Sequence, residues 1–290
     1  MKIAAGVLAF VVGFLGVRVA ANMLNRQNRP AVTPTKSNPV LILSKANTLV
    51  LNGTVTENSM AVLTSQLLKM SHELPSNQVI NLVMYTPGGE VSAGSSFIDA
   101  ANAIPQKIST LSIFSASMGF HIVQHASGMR YILPSGTLMS HRAKGGVEGE
   151  FHGSINSRLS WIYQQLEALE KITSARMGLS LPSYRAAIKD EFWVSGDTAV
   201  EVNAADQVVT ATCDKSLAGT AEQTVQTMFG PVNLTMSACP LITSPLGFKF
   251  AVNDKNKLGE VTNYFDTLYN DPAQFIVDYI ETEKYKNIVK

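Results

Sequence analysis

The sequence predicts an α/β fold, a largely parallel sheet with helices packed on it. Three observations carry this. Stretches of strand character alternate with stretches of helical periodicity over most of the chain up to residue 212. One apolar run, VINLVMY at 79–85, is continuous rather than alternating, as in a strand covered on both faces. Two strands break into small-residue turns that open helices, TPGGE at 86–90 and SASMG at 115–119.

The elements follow in order. PVLILS and TLVLNG read as strands. Residues 60–72 read as a helix, with Met60, Leu63, Leu67 and Met70 on one face. After the 79–85 strand and its glycine turn, residues 92–103 return as a helix. ISTLSIF is the next strand, and a helix runs from Ser117 to about His125. MRYILP and TLMSH read as two short strands. A long helix at 155–177 follows, with Ile155, Leu159, Ile162, Leu166 and Leu169 at helical spacing and Gly178 at its end. LPSYRAAIKDEF is a short helix leading into WVS, and DTAVEVNAADQVVT is a small helix, a turn and a final strand. From Cys213 the pattern weakens, and helical periodicity returns at 258–269 and 272–284.

The chain has 290 residues, 46% of them hydrophobic, which suffices for one large core or two small ones. Its formal net charge of +1 gives no electrostatic case for nucleic acid. The N-terminus stands apart. An uncharged apolar run from Ile3 to Val17 follows one early Lys, and Val19-Ala20-Ala21 offers a small-residue cleavage site. That length suits a signal peptide; a run to Leu24 with Arg18 snorkelling suits a single anchor helix. Both place the body in an exported, periplasmic or membrane-anchored setting. Arg18, Arg26 and Arg29 pull the other way and would hold it on the cytoplasmic face. The boundaries expected are 1–24 for this segment, 25–38 for a polar, Pro-containing linker, 39–212 for the body and 213–290 for an extension. Cys213 and Cys239 would pair in an oxidising compartment or stand as two separate thiols. Neither has metal-ligand spacing.

Three features point to chemistry. The two glycines of TPGGE allow close backbone approach, and the Gly89 N–H can face an anion. Ser117 stands where a strand turns into a helix, so its hydroxyl meets a helix N-terminus, and the Met118 N–H adds a second donor. A serine there also serves as an ordinary cap. His141 closes a short strand in LMSHRAKGG and can take and return a proton. His72, His121, His125 and His152 read as structural. His121 and His125 share a helical face, but HIVQH lacks the glutamate of a zinc-binding HExxH. No cofactor or metal is expected.

Taken together, TPGGE–SAG, SASMG, SHRAKGG and DEFWVS–TAVEVNAAD resemble the successive motifs of the Clp protease proteolytic subunit, in the wider ClpP/crotonase superfamily. The resemblance spans roughly 48–212. It implies a spiral of repeated β-β-α units with a mainly parallel sheet, and likens the helix at 155–177 to the handle through which rings of subunits stack. It also implies a serine peptidase acting on peptides or unfolded proteins, with Ser117 as nucleophile, His141 as base, and Gly89 and Met118 as oxyanion donors. The family acid precedes an aromatic-apolar-Ser strand. Registering on Gly178 and Ser195 puts Glu191 there, with Asp190 as the neighbouring alternative. The N-terminal segment departs from a cytosolic Clp subunit, and an exported body has no ATP for an unfoldase, so an ATP-independent homo-oligomer is expected. Three other readings compete. They are a crotonase-type acyl-CoA enzyme, a Ser-Lys membrane peptidase with Lys144 as base, and a non-enzymatic scaffold.

Overall fold

The structure is a computed structural model that describes residues 38–227 and 230–250. Its centre is a six-stranded sheet. Strands β2 (Thr48–Asn52), β3 (Ile80–Thr86), β4 (Ile108–Ala116) and β5 (Arg130–Ser140) run parallel in that order. β6 (Phe192–Ser195) joins β5 antiparallel, and β7 (Gln207–Val208) pairs with β5 parallel. β1 (Val40–Leu43) and β8 (Thr210–Cys213) form a separate parallel pair. The sheet is mainly parallel and the fold mixed α/β, as the alternating pattern predicted.

Helix α1 (Glu57–Glu73) starts at a reciprocal cap. Thr56 Oγ1 accepts from the Ser59 N–H at 3.2 Å, and Ser59 Oγ accepts from the Thr56 N–H at 2.9 Å. Met60, Leu63 and Leu67 are buried, so the spacing read from sequence is the buried face. α2 (Val91–Ala103) follows the glycine turn and α3 (Met118–His125) follows Ser117. α4 (Ser154–Arg176), α5 (Leu181–Ala187) and α6 (Gly196–Glu201) complete the α-helices among the described residues. Of the five apolar positions read on α4, only Leu169 is buried; the other four stay partly open within this single chain.

Strand alternation divides the core. Ile80, Leu82 and Met84 of β3 enter the large core with α1, α2 and α3, while Val83 faces the other way. There it meets Leu43, Leu111 and Val209 in a smaller core, flanked by Tyr131, Leu133, Leu217 and Leu241.

Two expectations change. MRYILP and TLMSH are one strand, not two. β5 runs through both, but Ile132 pairs with Ser112 and Thr137 with Phe114, so residues 133–136 bulge. Pro134 cannot donate to a ladder, and Gly136 lies against β4, where a Cβ would stand 2.5 Å from the Ser112 carbonyl oxygen. The second change is after Cys213. The weakly periodic stretch forms a three-stranded antiparallel sheet of β9 (Thr220–Thr227), β10 (Gly230–Ser237) and β11 (Gly247–Phe250). Its β9 alternates polar with polar, TAEQTVQT, and so lacks the period-two hydrophobic signal that marks a strand. The N-terminal apolar segment, nearly all of the linker and the helical periodicity expected at 258–269 and 272–284 lie outside the described residues.

Candidate active site

The site begins with backbone. Ser117 has φ 55° and ψ −118°, a conformation a non-glycine residue holds only when its surroundings dictate it. The surroundings are explicit. Its N–H donates to the Met139 carbonyl of β5 at 2.9 Å, and its own carbonyl accepts from Phe120 at 3.0 Å. Ser117 occupies the N-cap position of α3, yet its side chain makes no capping bond. The hydroxyl is therefore free of the bland role a serine usually has there. It lies 2.9 Å from His141 Nε2.

The glycine turn fits against the same elbow. At Gly88, φ 90°, a Cβ would lie 2.6 Å from the Ser117 Cβ and 2.8 Å from the Met118 nitrogen. At Gly89, φ 148°, it would strike the Val55 carbonyl oxygen at 2.1 Å. Both positions need glycine for conformation and for space. Val55 donates to the Gly88 carbonyl at 2.8 Å and accepts from the Glu90 N–H at 2.9 Å, which ties the turn down on both sides of Gly89. The N–H groups of Gly89 and Met118 have no partner among the described residues. Both residues line one pocket of about 180 Å³ with Ser117, His141, His121 and Lys144. Val91, Leu166 and Leu169 supply its apolar wall.

The base is held from behind. Ser140 Oγ and the Tyr184 hydroxyl are 2.8 Å apart and buried, which pins the end of β5 next to His141. Burial pushes the Tyr184 phenol up to about 12, so it stays a neutral hydrogen-bonding group. His121 was read as structural from sequence, yet it lies in the pocket wall. Its Nδ1 is 2.8 Å from Thr173 Oγ1 on α4. Burial first, then the neighbouring His125 and His141, lower it to about 3, so it stays neutral at working pH. His125 Nε2 faces the Leu169 carbonyl at 3.2 Å, and burial lowers its pKa too. With one nitrogen of each committed to α4, they do not make a metal pair. No cluster of three or more His, Cys, Asp or Glu among the described residues suits a metal ion.

The acid side differs. His141 Nδ1 is buried and has no hydrogen-bond partner among the described residues. Asp190 and Glu191 are both exposed in the turn before β6. The Glu191 carboxylate accepts from the Trp193 indole N–H at 3.0 Å. The structure thus brings Ser117, His141, Gly89 and Met118 together and leaves both acids off the ring. Cys213 and Cys239 are joined as a disulfide.

One charged network went unread in the sequence. Arg130, 1% exposed, donates to both Asp206 oxygens through its backbone and guanidinium, to Asn203 and to Gln124. Burial alone would raise the Asp206 carboxyl; Arg130 and then Arg176 outweigh it and hold it below the usual range. Five residues from three elements and a loop form it, so no local motif marks it.

A hydroxyl bonded to an imidazole, beside two free N–H groups at a glycine turn and a helix N-terminus, is equipped for acyl transfer. The model of the Clp protease family matches residues 34–212, more than half of the chain. The chain belongs to the Clp protease family. Clp proteases act on peptides and assemble as oligomeric rings, and membership makes this chain a peptidase, a hydrolase. The match ends just before Cys213, so β9, β10 and β11 lie beyond the family region.

Proposed function

We propose that this Clp protease family member is a serine endopeptidase that cleaves peptides or unfolded proteins through an acyl-enzyme, with a Ser117–His141–Glu191 triad. The observation that carries the reading is the 2.9 Å contact between Ser117 Oγ and His141 Nε2 on a strained turn over the pocket. His141 takes the hydroxyl proton as Ser117 attacks the scissile carbonyl, then returns it to the leaving amine. The oxyanion forms beside the Gly89 and Met118 N–H groups, and α3 lends its N-terminal dipole.

For Nε2 to accept the serine proton, Nδ1 must carry the ring proton, and that donor calls for an acceptor. Register favours Glu191. Met139 pairs with Trp193 and Ser140 with Phe192, so one further antiparallel rung sets Glu191 opposite His141. Residues directly opposite have Cβ atoms about 5 Å apart. Asp190 would fall one rung further on. Lys144 lines the pocket too, but the hydroxyl's bond is to His141.

We place the body in an oxidising compartment, exported or anchored through the N-terminal segment, acting without ATP as a homo-oligomer. The Cys213–Cys239 disulfide supports this, since such bonds are rare in reducing cytoplasm. Labelling by a fluorophosphonate probe tests the site. Ser117→Ala and His141→Ala should lose it while staying folded, and Lys144→Ala should keep it. Labelling that survives Ser117→Ala removes the nucleophile. Comparing intact with lysed cells reports which side of the membrane the site faces.

A further inference from the structure

The orphaned His141 Nδ1 and the bond that occupies Glu191 are two ends of one question. The β5–β6 ladder ends at the Ser140–Phe192 pair, and extending it by one rung would set Glu191 against His141, whose Nδ1 lacks an acceptor. Its carboxylate instead accepts from Trp193 Nε1 at 3.0 Å. The local backbone accounts for the diversion. Glu191 has φ 69°, which breaks the alternation a regular strand residue would follow and turns its side chain aside. The indole is held in place to receive it. Trp193 lies 6.5 Å from Phe114, centroid to centroid, and Phe114 lies 6.1 Å from Tyr85, an aromatic row across the sheet. Trp193 is 52% exposed. The Glu191 carboxylate is thus held by the Trp193 indole, outside the site, while the His141 Nδ1 has no acceptor among the described residues.

We infer that Trp193 is a positioning residue that parks the Glu191 carboxylate away from His141, so that the indole N–H and the imidazole N–H compete for one acid. The inference rests on the reading of Glu191 as the triad acid. In the parked state the ring keeps its bond to Ser117 but has no carboxylate to stabilise the imidazolium that forms during attack. In the released state Glu191 spans the rung to Nδ1 and the triad is complete. Trp193 touches no reacting atom and acts only through Glu191.

The test uses the full-length protein and a fluorophosphonate probe. Trp193→Phe keeps the ring and removes the N–H, and Trp193→Leu removes both and serves if the first folds poorly. The expected result is a rise of about tenfold in the inactivation rate, the size of one charge-assisted hydrogen bond. The proton spectrum supplies a readout that a purely structural role would not move. The deshielded Nδ1 proton of a His–carboxylate pair should strengthen in Trp193→Phe and vanish in Trp193→Phe/Glu191→Gln. If the folded Trp193 variants label at or below the wild-type rate and the deshielded proton does not strengthen, while Glu191→Gln labels far more slowly, the parking is wrong and the acid assignment stands. If Glu191→Gln labels as wild type does, the acid assignment fails and the parking fails with it.

Discussion

The two faces of the central sheet are built on different principles. On one face, α1, α2, α3 and the sheet bury Leu67, Ile80, Leu82 and Phe120 to 2% exposure or less, and the Ser117 turn grows out of that packing. On the other, Leu43, Val83, Leu111 and Val209 are covered by partly buried neighbours, among them Leu217 and Leu241 from beyond the family region. That cover is held by a disulfide and by single bonds such as Asn52 Nδ2 to the Thr243 carbonyl at 3.1 Å. Burial alone suffices where several helices converge. Where residues 213–250 close a face, a covalent clip adds to the buried area. Chemistry sits on the first kind of ground, because a residue at φ 55° persists only inside packing that over-determines it.

The contrast can be broken at several points. Ser117→Ala should lower peptidase activity by about 10⁴–10⁶-fold, as removal of a triad nucleophile does, and leave the melting temperature in place. A parallel loss of stability would mean that the turn, not the hydroxyl, was removed. Glu191→Gln should cost about 10³–10⁴ in kcat, with Asp190→Asn close to wild type. If only Asp190→Asn is inactive, the β5–β6 register does not extend to the acid. Asp206→Ala leaves the Arg130 guanidinium buried without its partner and should cost about 3–5 kcal/mol in denaturant unfolding.

Cys213→Ser with Cys239→Ser should cost about 3.5 kcal/mol, the chain-entropy value for a separation of 26 residues. Hydrogen exchange should rise in β8 and around Leu241 while probe labelling of Ser117 stays near the wild-type rate. Lost labelling would show that the two faces are coupled rather than independent. The smallest effect is a slope. His121 binds a proton less well folded than unfolded, so below its ordinary pKa of 6.5 the unfolded state takes up more protons. The stability its neutral form contributes is present above that pH and lost as pH falls toward about 3. His121→Asn should flatten the decline in melting temperature over that range.

Much of this was legible from residues alone, and the reason differs by element. α1 was readable because Met60, Leu63 and Leu67 repeat at the helical period and bury together. β3 was readable because a strand covered on both faces has no polar side to show. Ser117 was not readable by itself. Its company made it so: a PGG turn behind it and a strand-end histidine ahead. β9 left no trace, since its sequence alternates polar with polar and offers no apolar face to read. The Arg130–Asp206 network was invisible because its partners lie up to 76 positions apart. His121 looked like any helical histidine, and only the seating of α3 against α4 made it a pocket wall.

By itself the sequence determined the α/β class, the order of elements and the residue types at each turn, because periodicity, glycine tolerance and burial are local consequences of composition. Which nitrogen meets which oxygen was decided by the tertiary structure. The strained Ser117 needs β5 and α3 at once, the pairing of Cys213 with Cys239 needs the extension in place, and the Glu191 carboxylate goes to the Trp193 indole. That bond follows from the placement of β6 and the φ of 69° at Glu191, about which the spacing of letters in DEFWVS is silent.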